Sequence, residues 1–278
     1  MITIKDLGFS YGSNAVLKDI SMELQEGRIY GLLGENGVGK TTLLTLLAGL
    51  KEPQTGSITV DGQTPFDRNP SFLTNIYYLS DEVPVTRMTA NRFAKDRGQF
   101  WVNFDIDKFN EIMQVLENDG TMRMDQMSYG QLKKTYISFA LACNTRYIFM
   151  DEPTNGLDIP SKAQFRKAVT KYTSDESTLL ISTHQVRDLE AIIDPIIILD
   201  RKDVLLNASL DEIAQKLFFD YSTTIDPEAL YSELIPGGCI QVLENRNGQE
   251  SKVNIEALFN AVHKHKELVK RLFNSKNA

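Results

Sequence analysis

The chain lacks the residues that pin small scaffolds together. Its 278 residues include two cysteines, Cys143 and Cys239, far apart and outside any CxxC spacing. That excludes a disulfide framework and points to a reducing compartment. Cys143, with no apparent partner, reads as a small core residue rather than a nucleophile. No uninterrupted apolar run approaches the roughly 18 residues that suggest a membrane span. The best stretch, residues 191–199, is broken by Asp194 and Pro195. The opening residues, Met1 to Asp6, hold no apolar core of a signal peptide, so none is expected. Neither charge sign dominates in blocks. The 30 basic and 37 acidic residues give a net −7 that is spread out, with no acidic tail and no basic stripe for a duplex. Internal repeats, low-complexity tracts and sustained heptads are also missing.

What is present is ordinary globular material, 42% hydrophobic and 24% charged. The length suggests two domains, or one large domain with an appendage. Residues 1–30 read as short strands of an antiparallel layer, with a turn at Phe9-Ser10-Tyr11-Gly12. Residues 29–33 form a short, almost wholly apolar strand, as expected at the centre of a parallel sheet. A helix follows over 40–50, with leucines at 43, 44, 46, 47 and 50. Further strands are expected over 57–60, 75–79, 147–150, 178–182 and 196–199. Residues 86–127 turn helical, and another helix covers 131–143. Strands alternating with helices indicate an α/β fold, with residues 86–145 as a helical insertion. Trp101 and its phenylalanine neighbours are either core of that insertion or a docking surface. Beyond about residue 208 a small α+β extension is expected. Ser209 caps a helix with Glu212 three residues on, a hairpin strand covers 240–243, and a basic amphipathic helix covers 255–272. His263 and His265 fall on its solvated face.

The strongest chemical signal is Gly34-Glu35-Asn36-Gly37-Val38-Gly39-Lys40-Thr41, which fits GxxxxGK[ST]. Its glycines let backbone N–H groups curl around phosphate oxygens, and the helix that follows adds its positive N-terminal dipole. Lys40 can reach the β- and γ-phosphates and the Thr41 hydroxyl can ligate Mg²⁺. The loop stands between an apolar strand and a helix, the context such a loop requires. The second signal is Tyr147-Ile148-Phe149-Met150-Asp151-Glu152. Four apolar residues form a buried strand that carries two carboxylates to the end where open α/β sheets bind ligands. Asp151 is placed to hold Mg²⁺ and Glu152 to polarise the water attacking a γ-phosphate.

With both signals in place, residues 1 to about 208 resemble the nucleotide-binding cassette of an ABC transporter. Met127-Ser128-Tyr129-Gly130-Gln131, about twenty residues before Asp151, resembles the family's LSGGQ signature. Asn155-Gly156-Leu157-Asp158 resembles its D-loop, Ser182-Thr183-His184 brings a histidine to its switch position, and Tyr11 stands where it places a ring against adenine. The resemblance implies a P-loop NTPase core with a mostly parallel sheet, an N-terminal antiparallel β subdomain, a helical insertion and a C-terminal extension. It implies contacts to ATP from Tyr11, from the loop residues Gly34, Glu35, Asn36, Gly37, Gly39, Lys40, Thr41 and Thr42, and from Ser128, Gly130, Gln131 and Asp158. In the family two cassettes pack head to tail, and the signature of one faces the ATP of the other. Glu152 and His184 would then be catalytic, and Thr41, Asp151 and Asp81 would serve Mg²⁺.

Two positions depart from the pattern. Tyr129 replaces the first glycine of SGGQ, and Asp81 stands where the Q-loop has glutamine. The first implies weakened or altered activity; the second bears on coupling to a membrane partner. The implied function is the ATP-hydrolysing subunit of a transporter, cytoplasmic and peripheral on the inner face of the cell membrane. It would work as a homodimer or heterodimer of cassettes with separate polytopic membrane subunits, and without nucleic acid. The cassette looks more like those of bacterial drug, peptide or lipid exporters. The alternatives are a soluble ABC-type ATPase, such as a sulfur-mobilisation type, and an ATP-gated module that does not hydrolyse.

Overall fold

The computed structural model describes residues 1–200 and 203–274. The chain opens with strands β1 (Ile2–Tyr11) and β2 (Asn14–Leu24), then β3 (Ile29–Leu33), helix α1 (Lys40–Leu47) and β4 (Thr55–Val60). Strands β2, β1 and β4, in that order, form an antiparallel sheet. Ile2 and Ile4 alternate with polar neighbours and are buried with Leu17 and Ile20, so one face of this sheet packs inward. The first reversal falls later than expected. Phe9 to Tyr11 stay in β1, and the turn is taken at Gly12, whose φ of +57° suits glycine.

Next come α2 (Pro70–Leu73), β5 (Ile76–Leu79) and the three helices of the insertion: α3 (Ala90–Gly98), α4 (Ile106–Val115) and α5 (Tyr129–Ala142). Each of the three starts on a side-chain oxygen that accepts from a first-turn N–H: Thr89, Asp105 and Ser128. Their core is aromatic. Phe139 lies 5.1 Å from Phe93 and 5.5 Å from Trp101, ring centre to ring centre. The Trp101 indole N–H donates to the Ile76 carbonyl at 2.9 Å and its partly buried ring packs on this core, while the neighbouring Phe100 is exposed.

The centre is built from β6 (Tyr147–Asp151), α6 (Ile159–Tyr172), β7 (Thr178–Thr183), β8 (Ile196–Asp200) and β9 (Asp203–Ala208). The six-stranded sheet runs β5-β6-β7-β3-β8-β9, parallel throughout except for β9. Every residue of β6, β7 and β8 is buried, as their near-continuous apolar sequences require of strands covered on both faces. Strand β9, which lies beyond the expected strands, returns on β8 as an antiparallel edge. Register decides what the sheet presents. Asp151 pairs with Ser182, Leu33 with Thr183, and Leu79 with Met150. The phosphate loop, the Asp151–Glu152 pair, the Asp81 segment and the His184 segment therefore leave the sheet side by side at one edge.

The last part of the described chain is α7 (Leu210–Lys216), β10 (Leu217–Ser222), β11 (Tyr231–Ile235), β12 (Gly238–Glu244), α8 (Ile255–Lys264) and α9 (Lys266–Asn274). Ser209 caps α7 by accepting from the Glu212 N–H at 3.2 Å. The three strands form a separate antiparallel sheet ordered β10-β12-β11. Ile213, Leu217, Val242 and Leu258 belong to the same hydrophobic cluster as Ile196, Ile198 and Leu205. The amphipathic run expected over 255–272 is two helices. His265, at φ −125° and ψ 48°, breaks it, and α9 is redirected so that Lys266 and Lys270 pair with Asp200 and Asp203. His263 is not on a solvated face either: its ring is half-buried against Phe259, 4.3 Å away.

Candidate functional site

The Gly34–Lys40 loop closes over the end of β3. Gly37 and Gly39 adopt φ of +81° and +113°, conformations that side chains rarely take. A Cβ at Gly39 would meet Leu17 and Val16 methyl carbons at 2.9 Å, but it is the torsion that asks for glycine there. The left-handed Gly39 caps α1 without a side-chain acceptor, and no acidic residue occupies the first turn. The orphan N–H groups of that helix end are left to an anion.

Lys40 opens α1 and is buried; its Nζ donates to the Gly34 and Glu35 carbonyls at 2.7 and 3.2 Å. Burial pushes the Lys40 ammonium below its ordinary proton affinity, against the pull of Glu152 and Asp151. Thr41 Oγ donates to one carboxylate oxygen of Asp151 at 2.6 Å, and Ser182 Oγ donates to the other at 2.5 Å. Ser182 Oγ also accepts from the Glu152 N–H at 3.0 Å. Glu152 sits at φ +45°, a strained torsion for a residue with a side chain. Its carboxylate lies 3.5 Å from Lys40 Nζ and 2.9 Å from His184 Nδ1. Two acidic residues at the end of one strand are thus sent to different partners, Asp151 to hydroxyls and Glu152 to Lys40 and the imidazole.

A cavity of about 370 Å³ opens over this edge, lined by Tyr11, Asn36, Gly37, Gly39, Lys40, Thr41, Thr42, Asp81, Asp151 and Glu152, together with Asn14 and Val16. Tyr11 is half exposed, with its ring edge-on to Phe9 and 4.9 Å from Lys51 Nζ; its hydroxyl lies 3.4 Å from Thr42 Oγ1. His184 lines an adjoining cavity of about 460 Å³, whose other wall is Glu256, Phe259 and Asn260 of α8. Gly34 lines that second cavity rather than the first, and the Glu35 carbonyl is held by Lys40.

The remaining expected residues lie elsewhere on the chain. Ser128 and Gln131 form a reciprocal cap on α5: the Gln131 side chain accepts from the Ser128 N–H at 2.9 Å, and Ser128 Oγ accepts from the Gln131 N–H at 3.3 Å. Gly130 lies against the Gly156 carbonyl, where a Cβ would come within 3.3 Å. Asp158 caps α6 by accepting from the Ser161 N–H at 2.9 Å. None of these four lines the cavity beside Lys40. Residues missed in the sequence are Ser182, which holds Asp151, and Lys133 and Asn155, which hold Asp81. Ser182 had a visible signal, a hydroxyl at the end of an apolar strand two residues before His184. Lys133 had none, because a lysine in a helix reads as exposed.

A phosphate loop between strand and helix, carboxylates on a parallel strand one removed in the same sheet and a capped signature helix define a nucleotide-binding cassette. Residues 17–155, half of the chain, match the ABC transporter family, and the chain belongs to that family as one of its ATP-binding subunits. It is 28% identical over 218 residues to the ABC transporter ATP-binding protein YtrB of Bacillus subtilis, covering 78% of this chain and 74% of that one. It is also 28% identical over 225 residues to the lantibiotic transport ATP-binding protein SrtF of Streptococcus pyogenes, covering 78% and 96%. A dimeric structure of MJ0796, a bacterial ABC transporter cassette, superposes with a TM-score of 0.67 over 76% of this chain and 99% of that one. At 23% identity that likeness establishes the fold alone.

Proposed function

We propose that the chain hydrolyses ATP to ADP and phosphate, with Glu152 as general base and His184 as the residue that orients it. The observation that carries this reading is the Glu152 carboxylate, held between Lys40 Nζ at 3.5 Å and His184 Nδ1 at 2.9 Å beside the phosphate loop. A carboxylate so placed takes a proton from water as that water attacks, while Lys40 and the loop N–H groups offset charge developing on phosphate. The Tyr11 ring stacks on the base. The oxygen donors Thr41 and Asp151 suit Mg²⁺, a hard cation, and Asp81 lines the same cavity. When bound, that ion neutralises charge shared between β- and γ-phosphates.

Ser128, Gly130, Gln131 and Asp158 do not line their own chain's cavity and belong to a second nucleotide site completed by another cassette, alike or different. ATP closes the pair and hydrolysis opens it, driving separate polytopic membrane subunits from the inner face of the membrane. No helix among the described residues is long and apolar enough to cross a bilayer, which supports a translocation path in other chains. Residues 1–208 are the cassette in this reading, and residues 209–278 an accessory extension.

The test is Glu152→Gln, which preserves shape and removes the base. Turnover should fall about a thousandfold or more, while ATP binding persists and an ATP-bound dimer accumulates on a sizing column. Hydrolysis at the wild-type rate would remove Glu152 from the mechanism.

A further inference from the structure

The two positions at which this chain departs from its family's motifs touch each other. The Tyr129 hydroxyl donates to the Asp81 carbonyl at 2.9 Å. Its ring covers Gly156, where a Cβ would come within 2.5 Å of the ring carbons. One helical turn further along α5, Lys133 is wholly buried, and its Nζ donates to the Asp81 carbonyl at 2.6 Å and to the Asp81 carboxylate at 3.3 Å. Asn155 Nδ2 donates to both carboxylate oxygens of Asp81, at 3.2 and 3.3 Å. The signature helix and the segment after β6 thus converge on one residue at the rim of the nucleotide cavity.

The chemistry makes this convergence more than packing. A buried ammonium is costly unless an anion and further acceptors answer it. Of the acceptors bonded to Lys133 Nζ, only the Asp81 carboxylate carries a charge; the others are the Ser80 and Asp81 carbonyls. A neutral glutamine at position 81 would leave the lysine uncompensated, and a glycine at 129 would remove the hydroxyl. The aspartate, tyrosine and lysine answer one another.

We propose that Lys133 and Tyr129 are positioning residues for Asp81, holding its carboxylate at the cavity rim and tying the signature helix to the 80–82 and 155–158 segments within one chain. The kinetic consequence rests on the hydrolysis reading above; the clamp itself does not. Without Lys133 and Tyr129, the Asp81 carboxylate would keep its Asn155 bonds but lose the cation that offsets its charge, and the helical insertion would turn without carrying the 80–82 segment along.

Amide hydrogen exchange on the nucleotide-free full chain tests the clamp directly. Tyr129→Phe keeps the ring and removes one bond, so amides of residues 81–82 should exchange about tenfold faster while those of β7 stay unchanged. Unaltered exchange at 81–82 overturns the proposal. The kinetic arm compares Lys133→Met, Asp81→Asn and the double variant. Lys133→Met should lose about tenfold in kcat with KM for ATP within about twofold, and the double variant should lose no more than Asp81→Asn alone. Additive losses overturn the positioning role. If the wild type itself turns over no ATP, the hydrolysis reading fails and the exchange arm alone decides the clamp.

Discussion

His184 Nδ1 lies 2.9 Å from the Glu152 carboxylate, although 32 positions of chain separate the two residues. The His184 N–H points at the same oxygen from 3.4 Å. This pairing arises because β6 and β7 are adjacent and in register, Asp151 opposite Ser182, so the residues that follow each strand emerge together. The imidazole sets the direction of the carboxylate, which Lys40 pulls from the other side.

His184→Ala should therefore lower kcat about a hundredfold while ATP binding changes little. Steady-state hydrolysis alongside equilibrium titration with ATP separates the two quantities. A rise in KM with unchanged kcat would place His184 in binding rather than in orienting the base.

Ser182 bridges the acidic pair, donating to Asp151 and accepting from the Glu152 backbone. Ser182→Ala leaves a buried carboxylate oxygen and an N–H without that partner. The nucleotide-free protein should lose about 1–3 kcal/mol in urea unfolding, the range for orphaned buried groups. Turnover should fall as well, because the strained Glu152 torsion loses the hydrogen bond that holds it.

Lys40 sets opposite signs for stability and affinity. Its proton affinity in the fold lies below the ordinary 10.5, chiefly through burial. As pH rises toward that value, the folded protein gives up this proton before the unfolded chain does. The unfolded state then binds more protons, and stability gains from this group as pH rises. ATP affinity moves the other way, because phosphate needs the ammonium. The difference between wild type and Lys40→Met, in unfolding and in ATP titration across alkaline pH, isolates both trends.

Neither cysteine should react in the native state. Cys143 and Cys239 are both buried, and the apolar surroundings of Cys143 push its thiol well above its ordinary value. A thiol reagent should modify both only after denaturant is added. Rapid native labelling of Cys143 would contradict its place in the core.

The extent to which the site was legible differs residue by residue. The phosphate loop and the Asp151–Glu152 pair were readable because each is local: glycine torsions, a strand end and a helix start lie within a few residues. The Ser209 cap and the apolar strands were readable for the same reason. Strand β9 and the break at His265 were not, because a partner strand and a pair of aspartates elsewhere in the chain decide them. Asp81 and Tyr129 appeared in the sequence as two unrelated departures from a pattern. Their contact depends on α5 crossing the end of β5, which no spacing encodes.

The sequence by itself determined the local pattern: a glycine loop between strand and helix, two carboxylates at the end of an apolar strand, and the family those motifs belong to. Backbone torsion, apolar period and residue type act over short stretches, and short stretches can be read. Tertiary structure alone decided the strand order β5-β6-β7-β3-β8-β9, and with it every distance at the site. It also decided that Lys133 is buried and charged against Asp81 rather than solvated. Such pairings depend on which surfaces meet after folding, and burial turns an ordinary helix lysine into a structural ion.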